Sequence, residues 1–411
     1  MISFSREGVT IDLIARFITK TVLNPIIAPA IAALFATEHP ALRKALEEVI
    51  ALLPQTQQVI DHVSANSGTY RIGAYLTAGV SLVIWANKAL NKWTLNNWTR
   101  DPTWDLNKEI VLVTGAAGGI GQHVIKHLLE KNLKTTIVAV DYIALTWTPP
   151  PGSNVHYYQC DLSNSAKLKD MAGRIKRQVG DPTVLVNNAG LCRGRTIMEG
   201  SYQDVELTIR TNLTAPLLLL KEFLPAMVRN NHGHIVNVSS LSSVLAPAGV
   251  ADYSATKAGL LSMTEALQLE LRCRHGAPKV RTSVCVFGFI RTPLFKGETR
   301  TSNFVMPLVH PDSVGESLAS IIESGYGQTL YLPGVARYIS MVVSGLLSCL
   351  CDLKCVCVCV CARANNSSSA AAPSGSSGGS RPRRRVLVSS STSRTRRLTP
   401  RLGTCRGMSR H

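Results

Sequence analysis

The chain has 411 residues, of which 45% are hydrophobic and 17% charged. That composition supports a large folded domain with extensions, or two domains, and excludes a chain without a core. The formal charge of +18 belongs mostly to one end. Residues 362–411 hold eleven arginines and no acid, so the rest of the chain carries only +7 and no longer reads as a nucleic-acid binder.

Residues 1–107 form an apolar region of helical character. Thr21 to Thr37 and Ile72 to Asn87 are uncharged, and as straight helices each reaches about 25 Å, short of the ~30 Å hydrocarbon core. Trp85, Trp93, Trp98 and Trp104, with Lys88, Lys92 and Arg100, follow the second stretch as an aromatic and cationic collar suited to a headgroup boundary. The region is expected to associate with a membrane as a hairpin or interfacial anchor and to hold the downstream side in the cytosol. The alternative is a pair of helices packed on the globular domain.

Residues 108–335 alternate strand-like and helix-like runs. Glu109 to Val113 reads as a buried strand, and Thr114-Gly115-Ala116-Ala117-Gly118-Gly119-Ile120-Gly121 as a glycine turn opening a helix through Leu129. Gly115 permits the tight turn, Gly119 close backbone approach, and Gly121 helix-on-strand packing. The helix N-terminus then faces a pyrophosphate with free amides and its positive dipole end. A second strand, Thr135 to Val140, ends in Asp141. An acid there can bond both ribose hydroxyls and would repel a 2′-phosphate, which favours NAD over NADP. The strand Val155 to Gln159 precedes Asp161, positioned for the adenine edge, and Val184 to Val186 leads into Asn187-Asn188-Ala189-Gly190. His234 to Val238 ends in Ser239-Ser240, and Tyr253-Ser254-Ala255-Thr256-Lys257 sets a phenol and an ammonium four apart on one helix face. The ammonium is expected to lower the phenol's pKa towards the range a general acid/base needs.

In this order and spacing TGAAGGIG, NNAG, the serine-rich strand end and YSATK resemble the short-chain dehydrogenase/reductase family. The resemblance implies a doubly wound α/β domain with a central parallel sheet, a Rossmann fold. It implies a catalytic set of Asn212, Ser240, Tyr253 and Lys257. Ser240 is chosen over Ser239, Ser242 and Ser243 because it lies at the family's usual interval before the tyrosine. Cofactor contacts are expected from Gly115, Gly119, Ile120, Gly121, Asp141, Asp161, Asn188, Ala189, Gly190, Tyr253, Lys257 and Thr292, with no metal. Where the family has Pro-Gly after the strand Val280 to Val286, this chain has Phe287-Gly288, and without proline's fixed φ a looser turn is expected.

From Phe289 to about Pro307 a segment carrying Phe295, Phe304, Met306, Lys296 and Arg300 is expected to cover the substrate. An apolar lid beside a membrane-associating region is similar to the branch containing retinol dehydrogenases and lipid-droplet 17-beta-hydroxysteroid dehydrogenases. That resemblance implies a lipophilic alcohol or carbonyl substrate and a place on the endoplasmic reticulum membrane or lipid droplets. It leaves a homodimer open. An inert lipid-surface scaffold and a soluble dehydrogenase for small polar alcohols are the alternatives.

Residues 336–361 are apolar and end in CVCVCVC, a string that alternating thiolate ligands or a GTGTGT nucleotide repeat read in frame would both produce. Residues 362–411, rich in Ser, Ala, Gly, Arg and Pro, read as a flexible basic tail with no core and no assigned function.

Overall fold

The computed structural model describes residues 6–36, 67–292, 294 and 302–345. The CVCVCVC run, the basic tail and the lid residues Phe295, Lys296 and Arg300 lie outside the described residues.

Seven parallel strands form one sheet: β1 (Ile110–Thr114), β2 (Thr136–Asp141), β3 (Val155–Gln159), β4 (Val184–Asn187), β5 (Gly233–Ser240), β6 (Val280–Phe287) and β7 (Thr329–Leu332). Their order is β3-β2-β1-β4-β5-β6-β7, the doubly wound fold, with the switch point between β1 and β4 where such sheets bind ligands. The apolar runs that mark these strands divide by the two-residue period. Val111, Val113, Ile137 and Ala139 join one core cluster, while Leu112, Val138 and Val140 join the other. Helices α4 (Gly119–Lys131) and α9 (Pro311–Ser324) cover the first face. The second is covered by α5 (Ser165–Gln178), α7 (Ala215–Asn230) and α8 (Ala251–Cys273). Burial on both faces explains why β1 and β4 read as unbroken hydrophobic strings.

Phe287 does not loosen its turn. It is buried in the core and extends β6 opposite Leu332, and the Gly288 amide donates to the Leu332 carbonyl at 2.7 Å. Unlike proline, phenylalanine brings a side chain that fills the core at the strand end.

Three helices precede the sheet: α1 (Ile11–Lys20), α2 (Ile27–Ala36) and α3 (Ser67–Leu95). Thr10 caps α1 by accepting the Leu13 amide at 3.3 Å. Just past α3, Asn96 exchanges two hydrogen bonds with Gly327 before β7, at 3.1 and 2.8 Å. The buried Arg281 guanidinium ties the same linker down through the carbonyls of Asn96 (2.8 Å) and Thr99 (2.9 Å). At the other end of β7 the Asp12 carboxylate accepts the amides of Gly334 and Val335, and the Ile11 amide donates to the Phe304 carbonyl at 2.9 Å. Ser81, about 22 Å up α3 from Asn96, donates to the Leu23 carbonyl at 3.0 Å. The N-terminal region therefore holds both ends of the β7 edge.

Among the described residues no helix is long and apolar enough to cross a membrane. Trp85, Trp93 and Trp98 are exposed, but Trp104 leaves the expected collar. It packs against the core, donates to the Ile322 carbonyl at 3.0 Å and meets the His232 ring at a tilt.

Candidate active site

The glycine turn follows β1 at the switch point. Thr114 fastens it. Its hydroxyl donates to the Val186 carbonyl (3.1 Å) and accepts the amides of Asn188 and Ala189, both at 3.0 Å. The Asn188 side-chain amide donates to the carbonyls of Thr114 (2.8 Å) and Gly115 (3.2 Å), so the NNAG segment and the turn form one unit. A Cβ on Gly121 would come within 2.1 Å of the Gly115 carbonyl oxygen, and one on Gly115, at φ +67°, within 2.9 Å of the Asn188 side chain. Only glycine permits this curl, which aims the first amides of α4 at a single point. A Cβ on Gly119 would meet nothing nearer than Thr292, at 3.8 Å, so the expected nicotinamide residue faces the turn across open space. Ile120 packs against the core at the start of α4. The cradle fits a dinucleotide pyrophosphate.

Asp141 ends β2 with its carboxylate fixed by the amides of Ala117 (2.8 Å) and Ile143 (3.2 Å). Asp161 lies past β3, where it accepts the amide and hydroxyl of Ser163 at 3.0 and 2.7 Å. Both acids stand past the strand ends on the β2–β3 side of the switch point.

On the other side of Gly190 lie the residues expected to react. A Cβ on Gly190 would stand 3.4 Å from the Asn212 side-chain oxygen and 3.5 Å from Lys257 Nζ. Asn212 is buried in a π-turn, Arg210–Thr214, between α6 (Tyr202–Ile209) and α7. A π-turn re-aims a helical side chain. Here the Asn212 amide exchanges two 2.8 Å hydrogen bonds with the Leu191 backbone and reaches Thr256 at 3.3 Å. Lys257 is buried, donates to the Val238 carbonyl at 2.9 Å and lies 5.6 Å from the centre of the Tyr253 ring. Ser239 points away from the site, donating to the Lys257 carbonyl at 3.0 Å, while Ser240 interacts with the Tyr253 hydroxyl. Of the two strand-end serines, Ser240 is the one beside the Tyr253 hydroxyl.

The electrostatics differ from expectation. Burial pushes the Tyr253 phenol up to about 12, only partly offset by hydrogen bonding with Ser240. Burial also pushes the Lys257 ammonium down, to about 8. The reason is positional: Nζ lies by the ring and is bound to a backbone carbonyl, so desolvation of the phenolate outweighs attraction to the ammonium. Sequence reasoning missed Cys192, half-buried and in electrostatic contact with Tyr253 and Lys257, whose thiol is pushed up by burial. It also missed Thr146 and Trp147, which bond the glycine turn from the loop after β2. A position two residues past NNAG could have flagged Cys192; nothing local marks the other two.

A glycine cradle at the switch point of a doubly wound sheet, with a Tyr/Lys pair across from it, defines an NAD(P)-dependent oxidoreductase. Comparison with known proteins is in keeping. A family model described as short chain dehydrogenase matches residues 109–303. The protein named Dehydrogenase RED2 from Cochliobolus heterostrophus is 36% identical over 215 residues, covering 50% of this chain and 78% of its own. Epidermal retinol dehydrogenase 2 of Mus musculus is 31% identical over 236 residues, 56% and 75% of the two chains. Estradiol 17-beta-dehydrogenase 11 of Rattus norvegicus is 30% identical over 238 residues, 57% and 78%. The chain belongs to the short-chain dehydrogenase/reductase family and is an NAD(P)-dependent alcohol dehydrogenase/carbonyl reductase.

Proposed function

We propose that this protein interconverts a lipophilic primary or secondary alcohol and its carbonyl with NAD. It does so at the surface of the endoplasmic reticulum membrane or a lipid droplet, with the catalytic domain facing the cytosol. The observation that carries the reaction is the grouping of Ser240 with Tyr253 and of Tyr253 with Lys257, whose ammonium lies beside Gly190. Bound in that cradle, the nicotinamide cofactor supplies hydride exchange. Ser240 holds the substrate oxygen. Tyr253 gives its proton to a carbonyl oxygen or takes one from an alcohol, Lys257 favours the phenolate, and Asn212 keeps the Gly190–Leu191 backbone against α8. A phenol held near 12 is protonated at neutral pH. Reduction therefore proceeds from the resting form, and oxidation accelerates as pH rises. Asp141 and Asp161 take the adenosine half, Asn188 and Ala189 line the cradle, and Thr292 binds the carboxamide.

The lipid reading rests on the N-terminal helices. Residues 13–36 and 67–100 contain six lysines and arginines and no acid. They expose Ile14, Phe17, Ile26, Ile72, Leu76 and Val83, a composition suited to an anionic lipid interface. The first turn of α1, through Ile11 and its one acid Asp12, is strapped to Phe304 and Val335. Relatives named for retinol and for estradiol support the same substrate class.

The test is NADH formation by the detergent-solubilised protein over retinoids, steroids, long-chain alcohols and small polar alcohols, with flotation on anionic liposomes in parallel. Turnover of lipophilic alcohols by protein that floats is expected. Activity confined to small alcohols by protein that does not float would overturn the reading. NADH binding without turnover on any substrate would favour a scaffold.

A further inference from the structure

We propose that α1 couples lipid contact to the ordering of the segment 302–310: when the apolar stripe of α1 lies in an anionic lipid surface, its first turn holds that segment in place. The proposal rests on the lipid reading above and adds a regulation which that reading does not require.

Packing on the domain does not account for α1. Six of the ten residues from Ile11 to Lys20 are apolar, yet none is buried. Ten residues are too few to stay helical in water by themselves, where about 12–15 are marginal. Ile14, Phe17 and Ile18, at three- and four-residue spacing, make one exposed stripe, and Asp12, Arg16 and Lys20 lie on the opposite side. Residues 13–36 carry Arg16 and Lys20 and no acid. An anionic lipid interface satisfies both sides at once, since the acyl boundary takes the stripe and the headgroups take the cations.

The polar side of the first turn is where the domain is gripped. Asp12 accepts the amides of Gly334 and Val335, the latter at 2.8 Å, and the Ile11 amide donates to the Phe304 carbonyl at 2.9 Å. Just before the helix, Glu7 accepts the His310 amide at 3.2 Å, and Arg6 pairs with Asp312 and Glu316 at 2.8 and 2.7 Å. From there the contacts lead inward. The Val309 amide donates to the Phe289 carbonyl at 2.9 Å, and the Arg291 amide to the Val309 carbonyl at 3.0 Å. The next residue, Thr292, faces Gly119 of the glycine turn. Backbone hydrogen bonds thus connect the strap on α1 to the residue expected at the nicotinamide.

A ligand shifts an equilibrium only by its differential affinity for the two states. Here the difference is the stripe, which exists as one face only while α1 is formed. Lipid contact therefore favours the formed helix, and the formed helix places Ile11 and Asp12 for their bonds to Phe304, Gly334 and Val335.

Hydrogen exchange of the full chain, free and on phosphatidylcholine/phosphatidylserine vesicles, tests the coupling, with flotation measured on the same samples. On vesicles the amides of Ile11, His310 and Val335 are expected to exchange about tenfold more slowly or better, with β1 and β4 unchanged. Phe17→Glu and Ile14→Glu, both at exposed positions, are expected to lose this gain, even where α2 and α3 still carry the protein to the vesicles. Asp12→Ala is expected to float like wild type and to lose the gain at Val335. Wild type that does not float would overturn the lipid reading itself. Wild type that floats with unchanged exchange would overturn the coupling and leave the lipid reading standing. A gain retained by both glutamate variants would also overturn it, because the lipid would then act through another surface.

Discussion

Around the glycine turn, Thr114, Asn188 and Asp141 each make two or more hydrogen bonds to neighbouring backbone, and the loop after β2 is latched over them. The segments beyond β6 are held instead from the far N-terminal end of the described chain. The segment leading to the substrate side is held by Ile11 on Phe304 and by Asp12 on Gly334 and Val335, and Arg6 pairs with Asp312 at 2.8 Å. The cofactor half is locked by its own strands, whereas the substrate half depends on helices added in front of the domain. A fixed cofactor site with a borrowed substrate wall lets one sheet serve many alcohols, because only the added elements need change.

Breaking the reacting side should have the largest effect. Lys257→Met is expected to reduce turnover about 10³-fold and yet stabilise the fold at neutral pH. The ammonium falls from 10.5 to about 8 on burial, so the unfolded chain binds more protons between those values and stability rises with pH across that window. Below it, the buried charge opposes folding by up to about 3 kcal/mol, and methionine removes that opposition. Denaturant titration at neutral pH beside a rate assay checks both halves; equal stability would mean the site hydrates the ammonium. Ser240→Ala should lower kcat about 10²-fold with little change in NADH affinity. A loss confined to KM would assign the serine to ground-state binding.

The borrowed wall should yield a smaller effect. Asp12→Ala leaves the amides of Gly334 and Val335 without their acceptor and is expected to lower stability by about 1–3 kcal/mol. It should raise KM for lipophilic alcohols while NADH affinity stays unchanged. If NADH affinity falls equally, the two halves are not separable as drawn. The smallest effect is expected far from the chemistry, where His232 joins Asp101 at 2.7 Å to Glu109 at 3.0 Å. Its hydrogen bond with Glu109 raises the imidazole above 6.5. The stability it adds, about 1–2 kcal/mol, is therefore full below pH ~6.5 and lost as pH rises through the folded value. The deficit of His232→Gln should shrink accordingly between mildly acidic and alkaline pH.

What the sequence reveals follows the same division. Gly115, Gly121, Asn188, Ser240, Tyr253 and Lys257 are legible because each sits at a fixed offset from a strand end or along one helix face. β7 is not: Thr-Leu-Tyr-Leu is short and only partly buried, and its place as the edge strand depends on pairing with β6. The α1 strap, the Thr146 latch and the inward turn of Trp104 are contacts between residues remote in sequence or inside irregular loops, with no period to reveal them. The phenol's raised pKa is illegible for a related reason. Four-residue spacing brings an ammonium near, but only the fold decides whether it meets the hydroxyl or the ring.

The account's central claim is that Tyr253 moves the proton in an alcohol–carbonyl interconversion run from the glycine cradle. The direct measurement is oxidation of a lipophilic alcohol by wild type and Tyr253→Phe, with NADH affinity measured on both proteins. The account predicts turnover reduced about 10³-fold in the variant, NADH affinity unchanged, and a wild-type oxidation rate that climbs with pH. Turnover that survives Tyr253→Phe would contradict it.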